Sequence, residues 1–164
     1  MSDLSMTPLP NPKDVREALE GLLGRDVDVA IGDPFSGDAR DGSTYAVYVD
    51  DRLRTVAVAV ADLGFSAYAG AAIGLVPVGG AELAVEEREL SPMLQENLYE
   101  VLNVCAALLN AEGHPHVKLY AVHHVGQTPP TDVPGFAAVT GRRLDLHMKI
   151  AMYGAGKLSI VCVG

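Results

Sequence analysis

The sequence predicts an α+β domain: a mixed, largely antiparallel sheet with two long helices packed together on one face. Two observations predict it. Val27, Val29 and Ile31 alternate with Asp26, Asp28 and Ala30, as a strand with one buried face does. Other segments carry apolar residues at helical spacing in wide stripes, the longest running from Ser91 to about Ala111. One-sided strands and striped helices bury each other as layers. With 164 residues, 49% of them hydrophobic, the chain is long enough for one domain with a sizeable core. Tryptophan is absent and Ala, Val and Gly abound, so that core is expected to consist of small aliphatics.

Residues 1–11, with Pro8 and Pro10, read as a flexible lead-in to a single domain over 12–164. A short helix follows from Pro12 to Leu23, where Val15, Leu19, Leu22 and Leu23 share a face and Gly24 stops it. The strand Val27–Ile31 leads into a turn-rich loop, Asp33 to Ser43. Tyr45–Val49 and Arg54–Ala61 form a hairpin around Asp50-Asp51. Asp62 caps a second helix, Leu63 to Val76, whose Gly70 and Gly74 suit close packing against a sheet. Pro77 to Leu90 reads as a solvated acidic connection. Beyond the long helix come a strand, Val117–Val125, and an extended loop, Gly126 to Arg142. The closing hairpin has Leu144–Met152 and Leu158–Val163 as strands and Tyr153–Lys157 as the turn. No internal repeat is visible.

The formal charge of −9, without a cluster of Lys and Arg, argues against nucleic acid and against an anionic membrane as partners. Thr55–Val78 is apolar but broken by Asp62, several glycines and Pro77, so it is not read as a membrane span. The first residues lack a basic start followed by a hydrophobic run, and Cys105 and Cys162 stand apart. The cytoplasm is the expectation. His114, His116, His123 and His124 lack a Cys, Asp or Glu at zinc spacing, and adjacent strand residues face opposite ways. No metal site is expected. The glycine pairs Gly79-Gly80 and Gly154/Gly156 lack phosphate-loop context and read as turns.

The chemistry concentrates on the long helix. Ser91 and Pro92 start it, with a hydroxyl for the free N–H groups and a proline where no donor is needed. Leu94, Leu98, Val101, Leu102, Cys105, Leu108 and Leu109 fall on one side, and Glu96, Glu100, Asn103, Ala107 and Asn110 on the other. Glu100 and Asn103 are neighbours at i,i+3. A carboxylate can dock a lysine ammonium, and an amide can orient a water. That pair suits hydrolysis of a phosphoryl group activated elsewhere, because phosphoryl transfer depends on positioning and charge. Glu96 and the small Ala107 would border the pair and meet a partner at close range.

The order of elements, with Glu100-x-x-Asn103 in the long helix, resembles the CheC/CheX/FliY family of chemotaxis phosphatases, and the CheX branch most. The resemblance covers about Asn11 to Val163. It implies dephosphorylation of a CheY-like response regulator, with Asn103 placing the attacking water and Glu100 engaging the regulator's lysine. It also implies no cofactor of the chain's own, since Mg²⁺ and phospho-aspartate belong to the receiver, and a homodimer paired through sheet edges. Two positions depart from the family. Glu96 stands where members carry Asp or Ser, and the strand after the helix has Leu119, Tyr120 and Ala121 where members have a proline. A non-catalytic module of the same fold, binding a receiver or a flagellar-switch component, is therefore the alternative. Joint exposure of Glu100 and Asn103 is the geometry that catalysis requires.

Overall fold

The computed structural model describes residues 6–163, so the first five residues of the lead-in lie outside it. Thr7 and Pro10 are buried against the domain. The elements are α1 (Pro12–Leu23), β1 (Val27–Ile31), β2 (Ser43–Val49), β3 (Thr55–Asp62), α2 (Leu63–Ile73), α3 (Val78–Glu87), α4 (Pro92–Val104), β4 (Lys118–His123), α5 (Asp132–Ala137), β5 (Arg143–Ile150) and β6 (Gly154–Cys162). The strands form one six-stranded sheet in the order β1-β5-β6-β3-β2-β4. Every pairing in it is antiparallel. The class is the expected α+β.

This strand order has a symmetry that the sequence does not show. Exchanging the half α1–β1–β2–β3 with the half α4–β4–β5–β6 leaves it unchanged: β1 maps to β4, β2 to β5 and β3 to β6. Each half lends its first strand to the other's hairpin, β1 pairing with β5 and β4 with β2.

β2 and β3 explain how the layers fit. On β3 the small Ala57, Ala59 and Ala61 face the helices, while Val58 and Val60 face the other side. Small residues on the helix side let α2 and α4 lie close. A Cβ on Gly70 of α2 would stand 3.0 Å from the Leu94 carbonyl of α4, and Asn97 of α4 donates to the Gly70 carbonyl at 3.0 Å. The glycine spacing thus serves helix–helix contact, where packing on the sheet was expected. The main core joins the sheet to α1, α2, α3 and α4, with Leu19, Phe65, Leu98, Leu102, Leu146 and Ile150 buried in it.

The opposite face carries a second, smaller core of Val47, Val49, Val58 and Val60 under Val133 and Ala137 of α5, with Phe35 and Phe136 beside it. The half-buried Arg143 and the buried Asp145 pin this cover to the sheet. The guanidinium holds Asp145 at 2.8 Å and donates to the carbonyls of Phe35 at 3.1 Å and Ala137 at 3.0 Å. Ser159 donates to the same carboxylate at 2.6 Å.

Several expectations change. The acidic connection forms α3, because Ala81 and Ala84 bury a small-residue stripe that outweighs Gly79-Gly80 in its first turn. The loop after β4 contains α5. Gly154 and Gly156 are strand residues of β6, and the turn falls at Ala151–Tyr153, with Met152 at φ 71°. A Cβ on Gly156 would collide with the Phe65 backbone, so glycine is there for the close approach of α2.

Candidate functional site on the outer face of α4

Ser91 accepts from the Leu94 N–H at 3.2 Å and Pro92 occupies the first turn, so α4 begins as expected. Leu94, Leu98, Val101, Leu102 and Cys105 are buried, and the Cys105 thiol is pushed up to about 12 by burial. The α-helix ends at Val104 and continues as a tighter 3-10 turn, Cys105–Leu109. At that junction the buried Tyr48 hydroxyl of β2 donates to the Leu102 carbonyl at 2.6 Å. The backbone beside Asn103 is thereby tied to β2, the strand next to the β4 edge of the sheet.

Glu96, Glu100 and Asn103 are exposed together on the side away from the core. Among the described residues none of the three has an ion pair or a side-chain hydrogen bond. Met93, Tyr99 and Val104 are also exposed on α4, so apolar surface borders the polar row. Ala107 is exposed, but it lies in the 3-10 turn, where three residues per turn rotate it out of the α-helical register.

Asn110 leaves that face altogether. It is half-buried, donates to the carbonyls of Ala106 at 2.9 Å and Val117 at 2.8 Å, and accepts from the Val117 N–H at 2.8 Å. Its side chain ties the end of the helical segment to the chain entering β4.

Residues that spacing along α4 could not supply come from the end of β4. Pro92, Gln95, Glu96, Tyr99 and His124 line a cleft of about 340 Å³ beside the polar row. His124 is buried, and its Nδ1 has no hydrogen-bond partner. Burial, with His123 adjacent, lowers its pKa below the ordinary imidazole value. A histidine pair on a strand was the only sequence signal for it, and nothing in that pair foretold its contact with α4. A larger hollow of about 430 Å³ lies elsewhere, among β1, β5, β6 and the start of α2, and shares no residue with α4. Among the described residues no group of three or more His, Cys, Asp or Glu could hold a metal ion, and no helix is long and apolar enough to cross a membrane.

No family model matches the sequence, and no curated protein matches it either. Solved structures do match. The FliM middle domain from H. pylori is similar at a TM-score of 0.58 and 11% identity, over 92% of this chain and 83% of that one. Thermotoga maritima FliY gives 0.54 and 15%, over 91% and 82%. CheX from Borrelia burgdorferi, in a complex with CheY, BeF3 and Mg²⁺, gives 0.52 and 9%, over 92% and 93%. The chain has the fold that CheX, FliY and the FliM middle domain share.

Proposed function

We propose that this chain, built on the CheX-type fold, is a phosphatase for the phospho-aspartate of a CheY-like receiver domain. The observation that carries the reading is the joint exposure of Glu100 and Asn103, both unpartnered, on a helix otherwise fixed to the core. An acyl phosphate in a receiver is already activated and already holds its Mg²⁺, so a phosphatase need add only a placed water and a docking contact. The Asn103 amide can accept from and donate to that water. The Glu100 carboxylate offers the counter-charge for the receiver's lysine. Glu96 and Ala107 would flank the approach, Ala107 by leaving room.

The alternative is a module that binds a receiver or a flagellar-switch component without hydrolysing anything. Two observations favour it: Glu96 replaces the family's Asp or Ser, and β4 carries Leu119, Tyr120 and Ala121 where the family has proline. The FliM middle domain shares the fold as well.

Incubation with phosphorylated receiver domains, following phosphate release, decides between them. Asn103→Ala should lower the acceleration by about 10²–10³ while binding stays nearly intact, since the amide acts on the water in the transition state. Glu100→Ala should instead weaken binding through loss of a charge pair. Equal phosphate release by the wild type and Asn103→Ala, against a receiver that both bind, would leave the binding module as the answer. We also propose a homodimer paired through a sheet edge. β1 and β4 each have one strand partner among the described residues, and an open edge is a place to add a strand. A monomer mass by light scattering at tens of micromolar would exclude it.

A further inference from the structure

We infer that the Tyr48 hydroxyl is a positioning group for Asn103. The inference rests on reading Glu100 and Asn103 as a working pair and concerns what holds the second of them in place. Glu100 lies well inside the α-helical part of α4. Asn103 sits one residue before that part ends and the 3-10 turn begins. At Leu102, directly before Asn103, the carbonyl accepts from the Tyr48 hydroxyl at 2.6 Å. A side chain inserted among the carbonyls of a helix is one of the identifiable causes of a break in its ladder. Tyr48 is fully buried, and burial raises its phenol well above the usual tyrosine value, so the group stays protonated as a donor.

The sheet is shaped around this one side chain. β3 carries an extra residue, Val56, just past Tyr48, and β4 carries an extra residue, Tyr120, just before it. Both neighbours of β2 therefore bulge there, and bulges re-aim the side chains beside them. The corresponding strand of the other half, β5, keeps an unbroken register with β1 and with β6. Its residues in the main core are Leu144, Leu146, Met148 and Ile150, which have no donor to offer α1. That helix ends instead on Gly24 in the left-handed conformation, whose N–H donates to the Glu20 carbonyl at 2.9 Å. A small apolar void, lined by Tyr48, Leu102, Cys105 and Leu109, lies between the 3-10 turn and the sheet. The turn thus has fewer packing contacts to hold it, and the hydrogen bond counts for more.

Tyr48→Phe keeps the ring and removes only the hydroxyl. Residual dipolar couplings, which report the orientation of each backbone N–H, should change at residues 103–109 and keep wild-type values at residues 94–100. Against a phosphorylated receiver, the variant should lower phosphate release at saturation about five- to tenfold, the worth of one hydrogen bond, and leave Kd unchanged. In an Asn103→Ala background it should lower release no further, because the hydroxyl acts through that residue. A hydroxyl that only stabilises the fold would show neither the split nor the non-additivity. The wild type alone gives a second measurement, independent of whether the variant folds: by nitrogen relaxation, the backbone at Asn103 should be as rigid as at Glu100. Unchanged couplings at residues 103–109, equal changes along all of α4, a full effect in the Asn103→Ala background, or a more mobile Asn103 would each overturn the proposal. A wild type that releases no phosphate defeats the phosphatase reading, while the couplings and the relaxation still decide what Tyr48 holds, so the two fail separately.

Discussion

α1 and α4 hold equivalent places in the two halves of the sheet, and they spend their outer faces differently. Both begin with a capping side chain and a proline: Asn11 accepts from the Asp14 N–H at 2.8 Å, and Ser91 from the Leu94 N–H at 3.2 Å. Both bury residues at the same spacing, Val15, Leu19 and Leu23 on α1 and Leu94, Leu98 and Leu102 on α4. Aligned on that spacing, Glu96 corresponds to Glu17, while Glu100 and Asn103 correspond to Gly21 and Gly24. Two of the three carboxylates of α1, Glu17 and Glu20, are engaged within their own half. Lys13 pairs with Glu17 at 3.8 Å, Arg16 pairs with Glu20 at 3.9 Å, and Glu20 accepts from the Val27 N–H at 3.1 Å. Those of α4 are engaged with nothing in the described chain. One helix pairs its two glutamates internally, and the other leaves its two without a partner in the described chain. That difference, and not the fold, sets the outer face of α4 apart from that of α1.

If the halves are equivalent in packing and differ only outside, truncation of the core should not tell them apart. Leu102→Ala and Leu19→Ala should each cost about 2–5 kcal/mol in urea unfolding, because both side chains are fully buried and leave a cavity. A loss below about 1 kcal/mol for one of them would break the equivalence. The next largest effect is confined to the α4 half. Asn110→Ala should cost about 1–3 kcal/mol, since it leaves both backbone groups of the buried Val117 without the partner that the side chain supplies. A neutral result would mean that water replaces the amide, and the helix would not need this clip.

Asn110 also shows where reading the sequence stopped. Helical spacing places it on the outer face with Glu100 and Asn103, and it would sit there had the α-helix continued. The 3-10 turn after Val104 and the distant Tyr48 hydroxyl decide otherwise, and neither leaves a local signal. Glu100 and Asn103 were legible because their neighbours report locally: Ser91-Pro92 fixes the start, and Leu94, Leu98 and Leu102 fix the rotation. β2 and β3 were legible through their apolar runs and the Asp50 turn. α3 was not, because its glycines and acids argue for a loop, and only burial of Ala81 and Ala84 outweighs them. The two halves related by the symmetric strand order share few identities, so no repeat could be read. His124 lines the cleft beside α4 because the end of β4 lies against the start of that helix, and such long-range pairing is invisible in one sequence.

The smallest expected effect separates the two helices by sign. Glu17 and Glu96 are corresponding exposed carboxylates, but Glu17 faces Lys13 one turn back, whereas Glu96 faces another acid, Glu100, one turn ahead. On a helix, opposite charges at i,i+4 stabilise by about 0.2–0.5 kcal/mol, and like charges destabilise by a similar amount. Glu17→Gln should therefore cost a few tenths of a kcal/mol, and Glu96→Gln should return a few tenths. Salt at about 1 M shortens the screening length to about 3 Å and should erase both differences. Urea unfolding of the two variants at low and high salt measures this, with the wild type as reference at each. The stabilisation of Glu96→Gln is the informative half: it would show that this charge is opposed, and not compensated, within the chain. Loss of stability in Glu96→Gln at low salt would mean that Glu96 has a partner within the chain, and the contrast between α1 and α4 would not hold.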